Sequence, residues 1–335
     1  MNIFKPYIIA EIGINHNGNI KTALKLIRSA KRAGADAVKF QVFNPTTLAR
    51  DNSRKTSQQK KYTAKKISLY KMWRRMAFNF NKLKILRRES KKNKIDFICS
   101  VFDEESLHQV LKLRPKFIKI ASSDITDLKL LKLVKKSKKK IILSTGLSNE
   151  NEIKRSLKVL GNSTIVLHCV SSYPCPKEFA NLKRILSLKK KFSKNIGYSD
   201  HTIGNEACYI AINLGAQVIE KHFTYNKNLK GADHILSADE DDLKNIVSFA
   251  KNQKLLLGSG NIKPTKYELK NKHLFRKGIY FSKNLPANHT LSIKDIMFAR
   301  PETRINILNY KRIIGKKLKK NKSKFQEITY KDLSK

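Results

Sequence analysis

Two histidines close short apolar runs in NIGYSDHTIGNEACYIAINLGAQVIEKHF, residues 195–223: His201 follows IGYSD and His222 follows VIEK. Read as strand, helix, strand, this stretch places both imidazoles at strand ends, which form the functional face of a parallel α/β protein. Two such rings can share one divalent metal, and the adjacent Asp200 and Glu220 are placed to orient them through their other nitrogens. Two lysines, Lys39 and Lys119, also lie at the ends of apolar runs, and Ser100, Ser122, Ser144 and Ser199 lie at equivalent positions. Compact cations with short hydroxyl donors suit a phosphate or carboxylate. A metal such as Mn, with Mg or Co as alternatives, polarises a carbonyl as a Lewis acid. The set therefore suits the joining of an anionic phosphorylated compound to an aldehyde. A rival chemistry is a Schiff base on Lys119 or Lys221, which requires an amine in apolar surroundings. The charged and hydroxyl neighbours of both lysines instead favour the protonated amine.

The elements that must position these groups recur evenly. Eight segments rich in Val, Ile, Phe and Tyr span 7–13, 37–43, 96–102, 117–122, 140–146, 164–170, 195–201 and 217–223. Helical patterns separate most of them, over 20–33, 104–113, 127–138, 149–160, 179–191 and 204–214. Nearly continuous apolar strands alternating with helices describe a parallel sheet covered by helices, and eight units over about 250 residues predict a closed (β/α)8 TIM barrel. The connection over 44–80 is far longer than an ordinary βα loop and reads as a substrate-covering excursion or a surface insertion; it carries the single tryptophan, Trp73. The expected division is a barrel over 1–257, a linker over 258–275 and a small mixed-β domain over 276–335.

Of the 335 residues, 71 are Lys or Arg and 26 are Asp or Glu, a net charge of +45. The excess is spread along the chain in short Lys runs, with no aromatic-interleaved basic motif. It reads as a lysine-rich solvated surface rather than a nucleic-acid site, although a nucleic-acid-binding protein on a barrel scaffold is the reading from another class. The beginning of the sequence runs directly into a strand, no apolar run is long enough for a membrane span, and four cysteines lack zinc-finger spacing. The expected location is the cytoplasm, with free thiols and no membrane partner.

The motifs AEIGINHNG (10–18), GADAVKFQ (34–41), FIKIASSD (117–124), ILSTG (142–146), LHCVSSYPCP (167–176), GYSDHT (197–202) and VIEKHFT (218–224) occur in order at strand ends. With them the chain resembles the sialic acid synthase family, the N-acetylneuraminate synthases and their legionaminate and pseudaminate relatives. The tail SKNLPANHTLSIKDIMFARP (282–301) is similar to the antifreeze-like (SAF) domain of that family. The resemblance implies a transferase that condenses phosphoenolpyruvate with an N-acylated mannosamine-type sugar and water, giving a nine-carbon 2-keto acid and phosphate. It implies that Lys39, Lys119, Ser122, Ser144 and Ser199 hold phosphoenolpyruvate and that His201 and His222 bind the metal. Glu11 and Glu220 are implied to orient water or metal, with Asp124, Tyr173, Gln41 and Asp233 on the sugar. Arg300 is implied to reach the N-acyl group in a partner subunit's barrel, giving a domain-swapped homodimer. The chain departs from the family pattern at Ser100-Val101, where relatives read Thr-Pro, at Ser171 and Asp124 on the sugar side, and at Glu302-Thr303-Arg304 after Pro301.

Overall fold

The computed structural model describes residues 5–50, 53–62, 67–192 and 195–334, which fall into two compact units, one ending at Gly258 and the other beginning at Ser259. In the first unit, eight parallel strands close into a barrel: β1 (Tyr7–Gly13), β2 (Ala37–Val42), β3 (Asp96–Val101), β4 (Phe117–Ile120), β5 (Lys140–Ser144), β6 (Ile165–His168), β7 (Ile196–Asp200) and β8 (Val218–His222). Each pairs with the next in sequence, and β8 returns to β1 with Glu11 opposite His222 and Ile9 opposite Glu220. Every end of the eight strands lies within two residues of the segment expected from the sequence, and β1 coincides with its segment.

The strand period of two explains how one sequence builds both a core and a site. Ile9, Ala37, Ile98, Phe117, Ile142, Leu167 and Val218 pack together as an apolar plug inside the barrel. Two residues further along the same strands stand Glu11, Lys39, Ser100, Lys119, Ser144, Cys169 and Glu220, all buried. The interior thus changes from apolar to ionic within one step of the pleat. The alternate residues, such as Ile8, Val38, Phe40, Ile118 and Ile219, face outward into a second core shared with the surrounding helices. Several helices are fixed at their starts by side-chain caps: Asn19, Asp103, Asp127, Asn149 and Asp239 each accept a hydrogen bond from a first-turn backbone N–H.

The long connection after β2 is not an irregular loop. It contains helices Pro45–Leu48, Ser57–Tyr62 and Leu69–Met76, followed by the longer Phe80–Lys92. Trp73 meets Phe43 edge-on at 5.2 Å between ring centroids, and Phe43 meets Phe102 in the same manner at 6.1 Å, so the excursion is tied to the ends of β2 and β3.

The second unit has its own core of Ile279, Phe281, Leu291, Ile313, Leu318 and Ile328. Its antiparallel pair is β9 (Gly278–Phe281) with β10 (Ile296–Ala299), supplemented by isolated bridges. The stretch expected to be a linker holds a ten-residue helix, Lys266–Phe275, capped by a reciprocal Thr265–Glu268 pair. Among the described residues no helix is long and apolar enough to cross a membrane.

Gly197 shows how tightly the barrel is filled. A Cβ there would lie 2.5 Å from Leu167 Cδ2 and 2.5 Å from the Val218 carbonyl oxygen, and the backbone cannot yield without disturbing β8. Gly197→Ala is expected to destabilise the protein by about 1–3 kcal/mol through overpacking. A urea midpoint equal to that of the unsubstituted protein would refute this account of the interior.

Candidate active site

Four buried charges form the floor of the site. Lys39 Nζ lies 2.7 Å from Glu11 Oε2 and 3.8 Å from Glu220 Oε2, and Lys119 Nζ lies 3.9 Å from Glu220 Oε1. The two cations and two anions balance. Lys39 also donates to Ser100 Oγ at 3.0 Å, Gln41 Nε2 donates to Glu11 Oε1 at 3.0 Å, and Ser199 Oγ donates to Glu220 Oε1 at 2.8 Å. Among the described residues the buried Ser144 Oγ and Glu220 Oε2 have no hydrogen-bond partner. A buried hydroxyl and carboxylate oxygen left open in this way have capacity for a ligand.

The environment drives the two carboxylates apart. Burial raises the pKa of Glu11, and repulsion from Glu220 reinforces it against the attraction of Lys39. For Glu220 burial acts in the same direction, but Lys119, Lys39 and the Ser199 hydroxyl together outweigh it and hold its pKa below the usual value. The lysines divide similarly. Burial would lower Lys39, yet Glu11 and Glu220 prevail and raise it, whereas burial and the neighbouring Lys39 leave Lys119 lowered. Of the two lysines considered for a Schiff base, Lys119 thus has its basicity reduced from the ordinary lysine value, chiefly by burial. Lys119 Nζ nonetheless donates to the Ile120 carbonyl at 3.1 Å and sits in an ionic rather than an apolar setting. Lys221, the other Schiff-base candidate, is fully engaged: Nζ bonds Asp200 Oδ2 at 2.7 Å and the Thr202 carbonyl at 2.5 Å.

The two histidines come together above this floor, their ring centroids 5.4 Å apart at 62°. His201 Nδ1 donates to the Val170 carbonyl at 2.6 Å, which leaves its other nitrogen with a free lone pair. His222 Nδ1 lies 3.5 Å from Asp233 Oδ2. Burial holds His201 at about 4, and burial with the nearby His201 and Lys39 holds His222 well below the usual value, so both rings are neutral and able to coordinate. The expectation that Asp200 and Glu220 orient these rings is overturned. Asp200 instead accepts from Lys221, from Tyr198 Oη at 3.0 Å and from the Thr202 N–H at 2.8 Å, because its side chain points to the outer face of β7. Glu220 accepts from Ser199, and the Val170 carbonyl, which no side-chain pattern reveals, orients His201, while the carboxylate nearest His222 is Asp233.

Around the site opens a cavity of about 360 Å³. Gln41, Ser122, Ser171, Tyr173 and Asp233 contribute to its polar wall. Tyr173 packs against His201 with centroids 4.2 Å apart. Ser122 Oγ lies 3.0 Å from Cys169 Sγ and accepts from the Gly146 N–H at 2.9 Å. A Cβ on Gly146 would fall 2.3 Å from Ser171 Oγ, so a glycine there lets β5 and β6 bring their hydroxyls together. Burial and the Glu11 charge push Asp233 up to about 7. Asp124 is not among the residues lining this cavity, although its neighbours Ser122 and Ser123 are; it accepts from Ser123 Oγ at 2.8 Å just beyond β4 and is raised to about 6, chiefly by burial. Arg300 belongs to the second unit, where its guanidinium lies 5.8 Å from the centre of the Phe275 ring. The excursion over 44–80 supplies Leu48, Thr56, Gln59 and Trp73 to the cavity, residues the sequence reading assigned no role. His16 and His168 are structural. His16 stacks on Phe78 at 4.1 Å, and His168 Nε2 pairs with the Ala180 carbonyl at 2.8 Å.

A closed (β/α)8 barrel whose buried lysines, carboxylates and imidazoles gather at the strands' C-terminal ends has the layout of a barrel enzyme. The chain belongs to the NeuB family, whose model matches residues 26–262. It is 38% identical to an N,N'-diacetyllegionaminic acid synthase of Campylobacter jejuni over 323 residues, covering 95% of this chain and 97% of that protein. It is 32% identical to a pseudaminic acid synthase of the same species over 321 residues, covering 95% and 93%. Among solved structures it is similar to the N-acetylneuraminic acid synthetase of Leptospira borgpetersenii, with a TM-score of 0.70 and 32% identity over 80% of this chain and 90% of that one.

The buried neutral histidines make stability depend on pH. An unfolded imidazole takes up a proton near pH 6.5, whereas burial delays protonation of folded His16 to about 3 and of His168 to about 4. The unfolded state binds more protons across that window, so stability falls as pH drops through it. At pH 5 each of these two rings is expected to have cost about 2 kcal/mol relative to pH 7.5. Urea unfolding at the two pH values, repeated with His168→Gln, checks the sign and the share of that ring.

Proposed function

We propose that the protein is a nonulosonic (sialic) acid synthase, a transferase that condenses phosphoenolpyruvate with an N-acylated mannosamine-type amino sugar and water. The observation that carries this reading is the charge-balanced floor of Glu11, Lys39, Lys119 and Glu220 beside two neutral imidazoles. N-acetylneuraminate synthesis is one form of the reaction. Legionaminate or pseudaminate synthesis from a diacetamido 6-deoxy sugar is the other, supported by the names of two of the relatives above.

Lys39 and Lys119 would hold the phosphate and carboxylate of phosphoenolpyruvate, with hydroxyls from Ser100, Ser122, Ser144 and Ser199. The open Ser144 Oγ fits that role directly. Gln41, Ser171, Tyr173 and Asp233 would hold the open-chain sugar, with Asp124 as a further candidate near the strand ends. The donor set fits a divalent metal, because two buried neutral imidazoles present lone pairs. Among the described residues no group of three His, Cys, Asp or Glu side chains could hold an ion, so His201 and His222 would leave its other positions to water and substrate. Manganese, magnesium or cobalt bound there would polarise the sugar aldehyde.

In the reaction C3 of the enol bonds to C1 of the aldehyde, and the aldehyde oxygen takes up a proton. The resulting oxocarbenium carbon, C2, is captured by water, and loss of phosphate yields the 2-keto acid. Two carboxylates with oppositely displaced pKa values suit the two proton transfers. Glu11, ionised against Lys39 but made the more basic of the two by burial, is the candidate to accept a proton and return it; Glu220, held ionised by two lysines and Ser199, is the candidate to orient the water. We read the second unit as an antifreeze-like (SAF) domain and Arg300 as a contact to the N-acyl group in a partner's barrel, in a domain-swapped homodimer.

The decisive assay is phosphate release from phosphoenolpyruvate and Mn with N-acetylmannosamine or with diacetamido 6-deoxy sugars. Release with one of these sugars is expected, and His222→Ala or a chelator should reduce it by at least ~100-fold. Failure with every sugar by a correctly folded preparation would reject the synthase reading.

A further inference from the structure

Two imidazoles that share an ion need a fixed spacing, and the pairing of their strands stops short of providing it. β7 pairs with β8 as far as Asp200 opposite Lys221, one residue before His201 and His222. The two histidines are then held from opposite sides. His201 is tied toward β6: its ring donates to the Val170 carbonyl at 2.6 Å, and its own carbonyl accepts from the Cys175 N–H at 2.8 Å. His222 is tied toward β1 and the chain after β8: it stands opposite Glu11, and its carbonyl accepts from the Ala238 N–H at 2.8 Å. Tyr173 rests against both rings, at 4.2 and 6.0 Å between centroids. The hydrogen-bonded crossing from one strand end to the other is made by Lys221. Its Nζ reaches from the residue before His222 to both neighbours of His201, bonding the Asp200 carboxylate at 2.7 Å and the Thr202 carbonyl at 2.5 Å. Asp200 completes the bridge by accepting from the Thr202 N–H at 2.8 Å.

Both charged side chains are shut away from water, Lys221 at 1% and Asp200 at 0% exposure. A buried ion pair adds little stability over an apolar pair of the same volume, so cohesion alone is a poor reason for this one. Direction is a better one, because an ammonium with two oxygen partners fixes distances that apolar packing leaves loose. Spacing also matters more here than in a closed metal site: among the described residues no group of three His, Cys, Asp or Glu side chains could hold an ion. With two protein ligands, an error in their separation has no third ligand to absorb it. We propose that Lys221 is the positioning residue of the metal site, setting the separation of His201 and His222 from behind through Asp200 and Thr202. It touches neither ion nor substrate, yet it governs how tightly a divalent cation is held. This inference rests on the metal pair of the synthase reading and adds the group that spaces it.

The test uses Mn alone, without either substrate, titrated into the full-length protein and followed by loss of the free-Mn electron paramagnetic resonance signal. Lys221→Met keeps the aliphatic stem and removes the ammonium; it is expected to weaken Mn binding by about ten- to hundredfold. That change strands a buried carboxylate, so the second variant combines Asp200→Asn with Lys221→Met. It removes both charges and keeps an acceptor for Tyr198 and for the Thr202 N–H. This paired variant is expected to unfold near the wild-type urea midpoint and still to lose about ten- to hundredfold in Mn affinity. Leu130→Ala, a core truncation on helix Leu128–Lys136, is the control for lost stability and should bind Mn within about threefold of wild type. Co in place of Mn reports ligand geometry directly: its visible absorption bands should shift in the paired variant and stay put in Leu130→Ala. Wild-type Mn affinity and Co bands in the folded paired variant, or an equal loss in Leu130→Ala, overturns the positioning role and leaves the synthase reading, which phosphate release tests separately, intact. Absence of Mn binding by folded wild-type protein overturns this inference and the metal pair together.

Discussion

The barrel depends on keeping four opposite charges balanced where water does not reach. Glu11, Lys39, Lys119 and Glu220 are each almost fully buried, and an isolated ion there would face a desolvation penalty of several kcal/mol. Two cations and two anions within ion-pair distance offset that penalty collectively. The arrangement also leaves one pair incompletely committed: Lys39 is closed on Glu11 at 2.7 Å, but Lys119 and Glu220 are 3.9 Å apart, too far for a hydrogen bond, and Glu220 Oε2 is open. An anion entering between the lysines can therefore compete for them without first breaking a tight bidentate pair. A site built only for stability would close those distances, as Asp200 and Lys221 do at 2.7 Å on the other face of the same two strands.

This contrast between two faces of β7 and β8 follows from the period of two. Ser199, His201, Glu220 and His222 alternate with Asp200 and Lys221, so two runs of three polar positions, 199–201 and 220–222, divide into a reactive inner set and a structural outer set. The outer ion pair locks the register of the two strands against each other. Any slip by one residue would exchange the two sets, leaving Asp200 and Lys221 at the floor and the histidines against the helices. The site's geometry is thus enforced by the same buried pairing that makes slippage costly.

That alternation is also why much of the molecule was legible in its sequence. Eight apolar runs between helical patterns identify the barrel, and the polar residues ending those runs converge because all parallel strands point the same way. What stayed hidden was hidden for specific reasons. The pattern could not show whether Asp200 faces its neighbour His201 or Lys221, since adjacent strand residues point apart while adjacent letters suggest contact. The Val170 carbonyl that fixes His201 is backbone and carries no letter of its own. Helices Leu69–Met76 and Phe80–Lys92 lie among so many lysines and arginines that their apolar stripe, Leu83 and Leu86 in the second, is thin. The second holds because that stripe meets the barrel core, and the first is tied by Trp73 to Phe43, tertiary contacts that local pattern does not encode.

The remaining puzzle is the net charge of +45 around a floor whose own charges cancel. A balanced site exerts little long-range pull, so attraction of the anionic substrate proposed above would have to come from elsewhere. The lysines on the outer faces of the helices can supply it: a field of one sign concentrates anions near the surface and speeds encounter, and salt weakens it within about 10 Å at ordinary ionic strength. Capture and chemistry are then separated in space. On the proposed reading the exposed lysines would act at distance, whereas Lys39 and Lys119 would act at contact, where burial makes each ion pair strong and each substitution costly. On this division the surface charge affects how quickly an anion arrives and the four-charge floor determines what becomes of it, so the surface composition can drift without altering the reaction.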